Sequence, residues 1–289
     1  MVGRRRRQDW QLVGALACAL LAGSCVFDSL VVSDETSFSR GPSRYGALHN
    51  PARLPVAGKG YWIPPIWSDR GLNYGVEELA GMLVHVGRTL EMRKEGLVLA
   101  VGDLSRPRGG RSPWHRSHQT GRDVDLLFFV RNHEDKIVRG ERMFHHDKNG
   151  IQVGAASAEE THRFDVAANW HVVAALLDNP LAEVQYIFIQ DDLRQLLLDY
   201  AGMSGVKPAL IARAARTMMQ PGDSAPHDDH MHVRIFCPKS DLRLGCVDFG
   251  RMRWHKRDYK YERRIERLPE LEEVIPTSIV SSMPLLLLR

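Results

Sequence analysis

Apolar and polar positions along the chain separate into a small set of elements. Val76 to Leu90 (VEELAGMLVHVGRTL) places apolar residues three and four apart, which predicts an amphipathic helix. Leu97 to Val101 (LVLAV) is a short apolar run ending at Gly102-Asp103 and reads as a buried strand. Pro107 and the Gly109-Gly110 pair impose a loop over 105–112. Asp123 to Val130 (DVDLLFFV) predicts the next strand, and the polar residues 131–163 read as an insertion or long excursion. Beyond them, Asp165 to Leu177 predicts a helix and Val184 to Ile189 a strand. Asp191 to Tyr200 predicts a helix opening on an acidic cap, and His232 to Phe236 a further strand. Strands and helices mix without regular βαβ alternation. The expectation is an α+β fold, a single domain with a central, mainly antiparallel sheet flanked by helices.

The two ends follow other rules. Arg4 to Arg7 precede an apolar run from Leu12 to Ala22, which is too short for the roughly 20 residues of a membrane-spanning helix. That pattern suits a signal peptide over residues 1–24. The small residues before Cys25 resemble a bacterial lipoprotein processing site, which would make Cys25 lipid-bearing. The expected location is the periplasm, with a lipid on Cys25 as the one route to a membrane. Residues 25–60, rich in Ser, Gly, Pro and Arg, read as a linker, residues 61–249 as the folded domain and residues 250–289 as a charged C-terminal extension.

Charge narrows the function classes. The whole chain has 39 basic and 35 acidic residues. Without residues 1–24 the balance is 35 − 34 = +1, which gives no basis for a nucleic-acid partner. Four cysteines in 289 residues exclude a disulfide-dense scaffold. In an oxidising compartment Cys237 and Cys246, nine apart with Pro238 and Gly245 between them, suit a short disulfide loop.

Histidine carries the chemistry, in two clusters at strand edges. The first runs His115-Arg116-Ser117-His118-Gln119-Thr120-Gly121-Arg122-Asp123-Val124-Asp125, the second His227-Asp228-Asp229-His230-Met231-His232. His230 and His232 stand two apart and share a strand face, as do Asp123 and Asp125. Two imidazoles and a carboxylate with one open position form the usual catalytic zinc arrangement, and imidazole–carboxylate sets suit zinc better than magnesium or calcium. His49, His133, His162 and His255, isolated in polar stretches, read as solvated side chains.

At these residues the chain resembles the penicillin-insensitive murein endopeptidases, within the wider group of lysostaphin-type, D-Ala-D-Ala and hedgehog-type zinc peptidases. The resemblance spans about residues 60 to 247. It is carried by Gly102-Asp103-x-Ser105-x-Pro107-Arg108-Gly109-Gly110, by His115-x-Ser117-His118-Gln119-Thr120-Gly121-x-Asp123-Val124-Asp125, and by His227-x-x-His230-Met231-His232-Val233-Arg234 with Cys237-Pro238. It implies zinc in a surface groove, with His118, Asp125 and His232 as ligands, His230 catalytic and His227 its companion. It also implies a second metal position that uses a residue like His115, with Asp147 the best further candidate, although the surrounding HHDKNGIQ departs from the family pattern. Arg234 and Arg108 would contact the substrate, although Arg234 reads equally as a strand-face ion pair and Ser105 as a loop cap. The implied activity is zinc-dependent hydrolysis of D-alanyl–meso-diaminopimelyl cross-links between peptidoglycan stem peptides. The alternatives are a D-Ala-D-Ala or L,D-type carboxypeptidase on the same fold, or a non-catalytic zinc or cell-wall-binding module.

Overall fold

The computed structural model describes residues 35–93 and 96–251. The expected signal peptide, Cys25 and nearly all of the C-terminal extension lie outside these residues. Strands β1 (Phe38–Arg40), β2 (Ala47–His49), β3 (Ala52–Arg53), β4 (Ala57–Gly58) and β5 (Tyr61–Trp62) come first. Next are α1 (Pro65–Ser68), β6 (Tyr74–Gly75), α2 (Glu77–Glu91), β7 (Leu99–Ala100) and β8 (Asp123–Leu127). Strands β9 (Val130–Arg131), β10 (Ile137–Val138) and β11 (Arg163–Phe164) lead into α3 (Val166–Asp178) and β12 (Val184–Phe188). The chain continues with α4 (Asp191–Met203), α5 (Pro208–Thr217), β13 (Met218–Met219) and β14 (His230–Ile235).

The fold is α+β. Its largest sheet has the order β13-β12-β14-β8, antiparallel except for the parallel β12–β13 pair. Alternation along these strands divides two jobs. Met231, Val233 and Ile235 of β14, Val124 and Leu126 of β8 and Ile187 of β12 enter one buried apolar cluster that runs from Leu48 to Ile235. The neighbouring positions place Asp123 and Asp125 on the other face of β8 and His230, His232 and Arg234 on the other face of β14. The apolar cluster includes Leu79, Met82, Leu83, Val86 and Leu90 from α2, which recur at helical spacing. From α3 it takes Trp170, Val172, Val173, Leu176 and Leu177. Asp165 caps α3, its carboxylate accepting from the Ala168 amide at 2.9 Å.

Several expectations need correction. The predicted strand 123–130 leaves its ladder after Leu127. At the break, Asn169 of α3 accepts from the Phe129 amide and donates to the Phe129 carbonyl, so backbone groups that a strand partner would satisfy are met by a side chain. Helix α4 starts at Asp191 as expected, but its N-cap is Gln190 without a side-chain cap bond; Asp191 and Asp192 occupy the first turn. Helix α5 was not anticipated, although Pro208 at its start is a sequence signal. The polar excursion carries the antiparallel strand order β10-β9-β11.

The largest correction concerns the linker. Its described part holds β1 to β4, buries Leu48 and Leu54, and gives the Ser39 amide to the buried Asp241 at 2.7 Å. Strands of two or three residues are too short to show alternation. They pair with near neighbours, β1 with β2, β3 with β6 and β4 with β5, while the Gly41–Cys246 bridge ties the segment to the far end of the domain.

Cys237 and Cys246 form a disulfide. It closes the turn after β14, where the buried Arg122 side chain donates to the Ile235 and Val247 carbonyls and to Asp248. The loop-entropy relation for a ring of this size assigns it about 2–3 kcal/mol. Cys237→Ser is therefore expected to lower the unfolding free energy by about that amount, read from urea denaturation under non-reducing conditions.

Candidate metal centre

Register builds the site. In the β8–β14 pairing Asp125 lies opposite His232 and Asp123 opposite Arg234, while Phe188 of β12 pairs with His232 on its other side. Acidic, imidazole and guanidinium side chains therefore share one sheet face.

Asp125 is the hub. Its carboxylate is buried, and three imidazole nitrogens approach one oxygen, Oδ1: His118 Nε2 at 3.3 Å, His232 Nδ1 at 3.4 Å and His230 Nε2 at 3.5 Å. His115 Nδ1 stands 3.7 Å from the other oxygen, Oδ2. Each ring is oriented by its remaining nitrogen. His118 Nδ1 donates to the Leu104 carbonyl at 2.7 Å, which leaves Nε2 to face Asp125. His232 Nε2 bonds Asp123 Oδ1 at 2.8 Å and His230 Nδ1 bonds Asp229 Oδ1 at 2.6 Å. His115 Nε2 bonds Asp103 Oδ2 at 2.7 Å.

A four-residue segment holds the loop side together. The Gly102 amide donates to the Asp125 carbonyl, and the Asp125 amide donates to the Asp103 carbonyl. Leu104 supplies the acceptor for the His118 ring. Ser105 Oγ donates to the His118 carbonyl at 2.6 Å and accepts from the Gly121 amide, the loop-capping role. A side chain at 102 would place its Cβ 3.3 Å from both Asp125 Cβ and Asp125 O. His118 itself has φ +62, a left-handed backbone uncommon outside glycine, and strain of this kind persists where surrounding bonds over-determine it.

The electrostatics follow from burial and proximity. Burial alone would raise the Asp123 carboxyl, but Arg234 and His232 outweigh it and hold the group well below the usual carboxylate range. Asp125 is likewise lowered, with burial opposed by His118 and His230. Burial pulls the His230 imidazolium down, yet Asp125 and Asp229 prevail and bring it to about 10. Burial dominates at His232 and His227, which fall to about 4.

The donor set fits a cation. His118 Nε2 and Asp125 Oδ1 are both buried without a hydrogen-bond partner. A tetrahedral ion with bonds of about 2.0–2.1 Å sets its donors about 3.3–3.4 Å apart, which is the spacing of His118 and His232 from Asp125 Oδ1. Donor atoms of His115, His118 and Asp125 lie within 4.8 Å of one another, and so do those of His227, His230 and His232.

Other anticipated residues fall elsewhere. Asp147 does not join His115: its Oδ1 accepts from the Asn149 and Ile151 amides of its own turn. From that region it is His145 that approaches the second cluster, bonding Asp228 at 2.7 Å. Arg234 donates from Nε to Asp123 at 2.6 Å, a strand-face ion pair, and Arg108 is exposed on the glycine-rich loop. Sequence reasoning assigned no role to Asp229, Asp103 or Arg70. Asp103 lay within the quoted motif, and Asp229 sat between two histidines.

The α+β fold presents on one sheet face a His/Asp cluster that could hold a metal ion. The penicillin-insensitive murein endopeptidase family matches residues 39–250, and the chain belongs to that family and is a peptidase. It is similar to the penicillin-insensitive murein endopeptidase of Salmonella paratyphi C, 28% identical over 207 residues, covering 70% of this chain and 67% of that protein. The Salmonella heidelberg protein of the same name is 27% identical over 209 residues, with the same coverage. Among the described residues no helix is long and apolar enough to cross a membrane.

Gly102→Ala is expected to cost about 1–3 kcal/mol, because the backbone of β8 cannot retreat from the added methyl without shifting Asp125. A denaturant midpoint unchanged from wild type would contradict this close-approach account.

Proposed function

We propose that the chain is a zinc-dependent murein endopeptidase that hydrolyses the D-alanyl–meso-diaminopimelyl bond joining peptidoglycan stem peptides. The observation that carries this reading is the convergence of three oriented imidazoles on Asp125 Oδ1. His118, Asp125 and His232 are the ligands in this reading. His232 suits a ligand because its side chain is only 10% exposed and burial favours its neutral form. His230, with a 19% exposed side chain, is better placed to meet a substrate. Zinc, when bound, lowers the pKa of water to about 7 and polarises the scissile carbonyl.

The chain's own groups then handle protons and charge. With a cation on Asp125 offsetting the field that raises His230, the His230 ring, steadied through Nδ1 by Asp229, could accept the proton of the attacking water at Nε2 and return it to the leaving amine. His227 has its ring centroid 5.3 Å from that of His230 and a buried, unpartnered Nδ1; its neutral ring supplies a hydrogen bond to the developing oxyanion. Arg108 and Arg234 are the proposed contacts for stem-peptide carboxylates. The substrate places the protein in the periplasm, in keeping with a leader over residues 1–24 and with lipidation of Cys25.

Digestion of purified sacculi with and without a chelator, followed by product masses, tests the reading. Chelator-sensitive conversion of cross-linked dimers to monomers is expected. Loss of a single terminal residue would instead identify a carboxypeptidase. His118→Ala and His232→Ala should each lose both bound zinc and hydrolysis, whereas His230→Ala should retain zinc and lose turnover by about 100-fold or more. Metal analysis that finds His230→Ala to be the zinc-free variant would reverse the ligand assignment.

A further inference from the structure

The two oxygens of Asp125 are approached by two chains of side chains built alike. On the Oδ1 side, Arg234 Nε lies 2.6 Å from Asp123 Oδ1, the same oxygen accepts from His232 Nε2 at 2.8 Å, and His232 Nδ1 faces Asp125 at 3.4 Å. On the Oδ2 side, Arg70 Nη1 lies 2.8 Å from Asp103 Oδ2, that oxygen accepts from His115 Nε2 at 2.7 Å, and His115 Nδ1 faces Asp125 at 3.7 Å. In both chains the arginine and the imidazole share one carboxylate oxygen. In both, the second oxygen, Asp123 Oδ2 or Asp103 Oδ1, is buried without a partner. Asp103 and Asp123 are among the most deeply buried acids of the described residues.

We propose that Arg70 and Asp103 are positioning residues of the metal centre, acting through the His115 ring that stacks on His118 and flanks Asp125. The inference rests on the ligand reading above. Its physical basis is control of ring orientation. Arg70 and His115 meet on the same oxygen of the buried Asp103, which fixes where the imidazole edge sits. The bond from His115 to Asp103 fixes the imidazole plane, which stacks on the His118 ring with centroids 4.1 Å apart and stands beside Asp125 Oδ2. The stacked His115 ring flanks the Oδ2 side, and Oδ1 is the oxygen directed at His118 and His232. Asp103 is itself fixed by its backbone, because its carbonyl accepts the Asp125 amide. Arg70 is held against two indole rings, with its guanidinium carbon 5.1 Å from the ring centre of Trp114 and 5.9 Å from that of Trp67.

Zinc affinity of the full mature chain, measured by chelator competition, tests the proposal together with the visible spectrum of the cobalt(II)-substituted protein. Asp103→Asn and His115→Ala should each weaken zinc binding about 10–100-fold and alter the cobalt bands. The double variant should bind no more weakly than either single one, because both changes cut the same chain. Arg70→Gln, at a partly exposed side chain, should reproduce a smaller loss and supports the proposal even where Asp103→Asn fails to fold. Losses that add in the double variant, or Arg70→Gln and Asp103→Asn proteins with wild-type affinity and wild-type cobalt spectra, would overturn it. A wild-type chain that binds no zinc would overturn the ligand reading as well. Wild-type binding with unaffected variants would remove this inference alone.

Discussion

A carboxylate removed from water is the constraint on which the rest of this molecule depends. Asp125 lies 2% exposed on the middle of β8, and a buried anion is tolerated only when opposite charge and hydrogen-bond donors surround it. Four imidazoles face it, three at one oxygen and one at the other, yet Oδ1 accepts no hydrogen bond, so the requirement is one that a cation among these donors would meet. None of them is free to turn away. Their outer nitrogens are tied to a backbone carbonyl or to a further carboxylate, and two of those carboxylates are tied to arginines. The polar face of the sheet is thus an alternating lattice of charge around one acid. The opposite face of the same strands is among the most deeply buried apolar regions.

Much of this was legible from residue spacing. The period-two pattern of His230-x-His232 and Asp123-x-Asp125 states which side chains share a face. The helices α2 and α3 announce themselves by apolar spacing. What spacing cannot convey is pairing between distant segments. The two- and three-residue strands of the 35–60 region have no period to detect, and the segment is tied to Asp241 and Cys246, just over two hundred residues away. Likewise the strand expected over 123–130 is continuous in hydrophobicity. It ends early because an asparagine on α3 competes for its backbone, a contact invisible without the third dimension.

The candidate site shows the same division. The histidines stood out because their side chains are uncommon and clustered. Asp103, Arg70 and Asp229 did not, because a lone acid at the end of a strand or beside a histidine is more often a turn residue or a solvated one. Their significance lies in partners brought together by the fold. Asp147 illustrates a local role that spacing did not announce: one of its carboxylate oxygens accepts from the Asn149 and Ile151 amides of its own turn.

The segment Gly102 to Ser105 touches both the strand that bears Asp125 and the loop that bears His118, through consecutive backbone and side-chain bonds. Conformational freedom at the donors is therefore surrendered while the polypeptide folds rather than when an ion arrives. The entropic penalty of assembling the cluster falls on folding stability, where the left-handed residue at 118 adds to it, and in the metal-site reading capture of an ion would need little rearrangement of the surrounding chain.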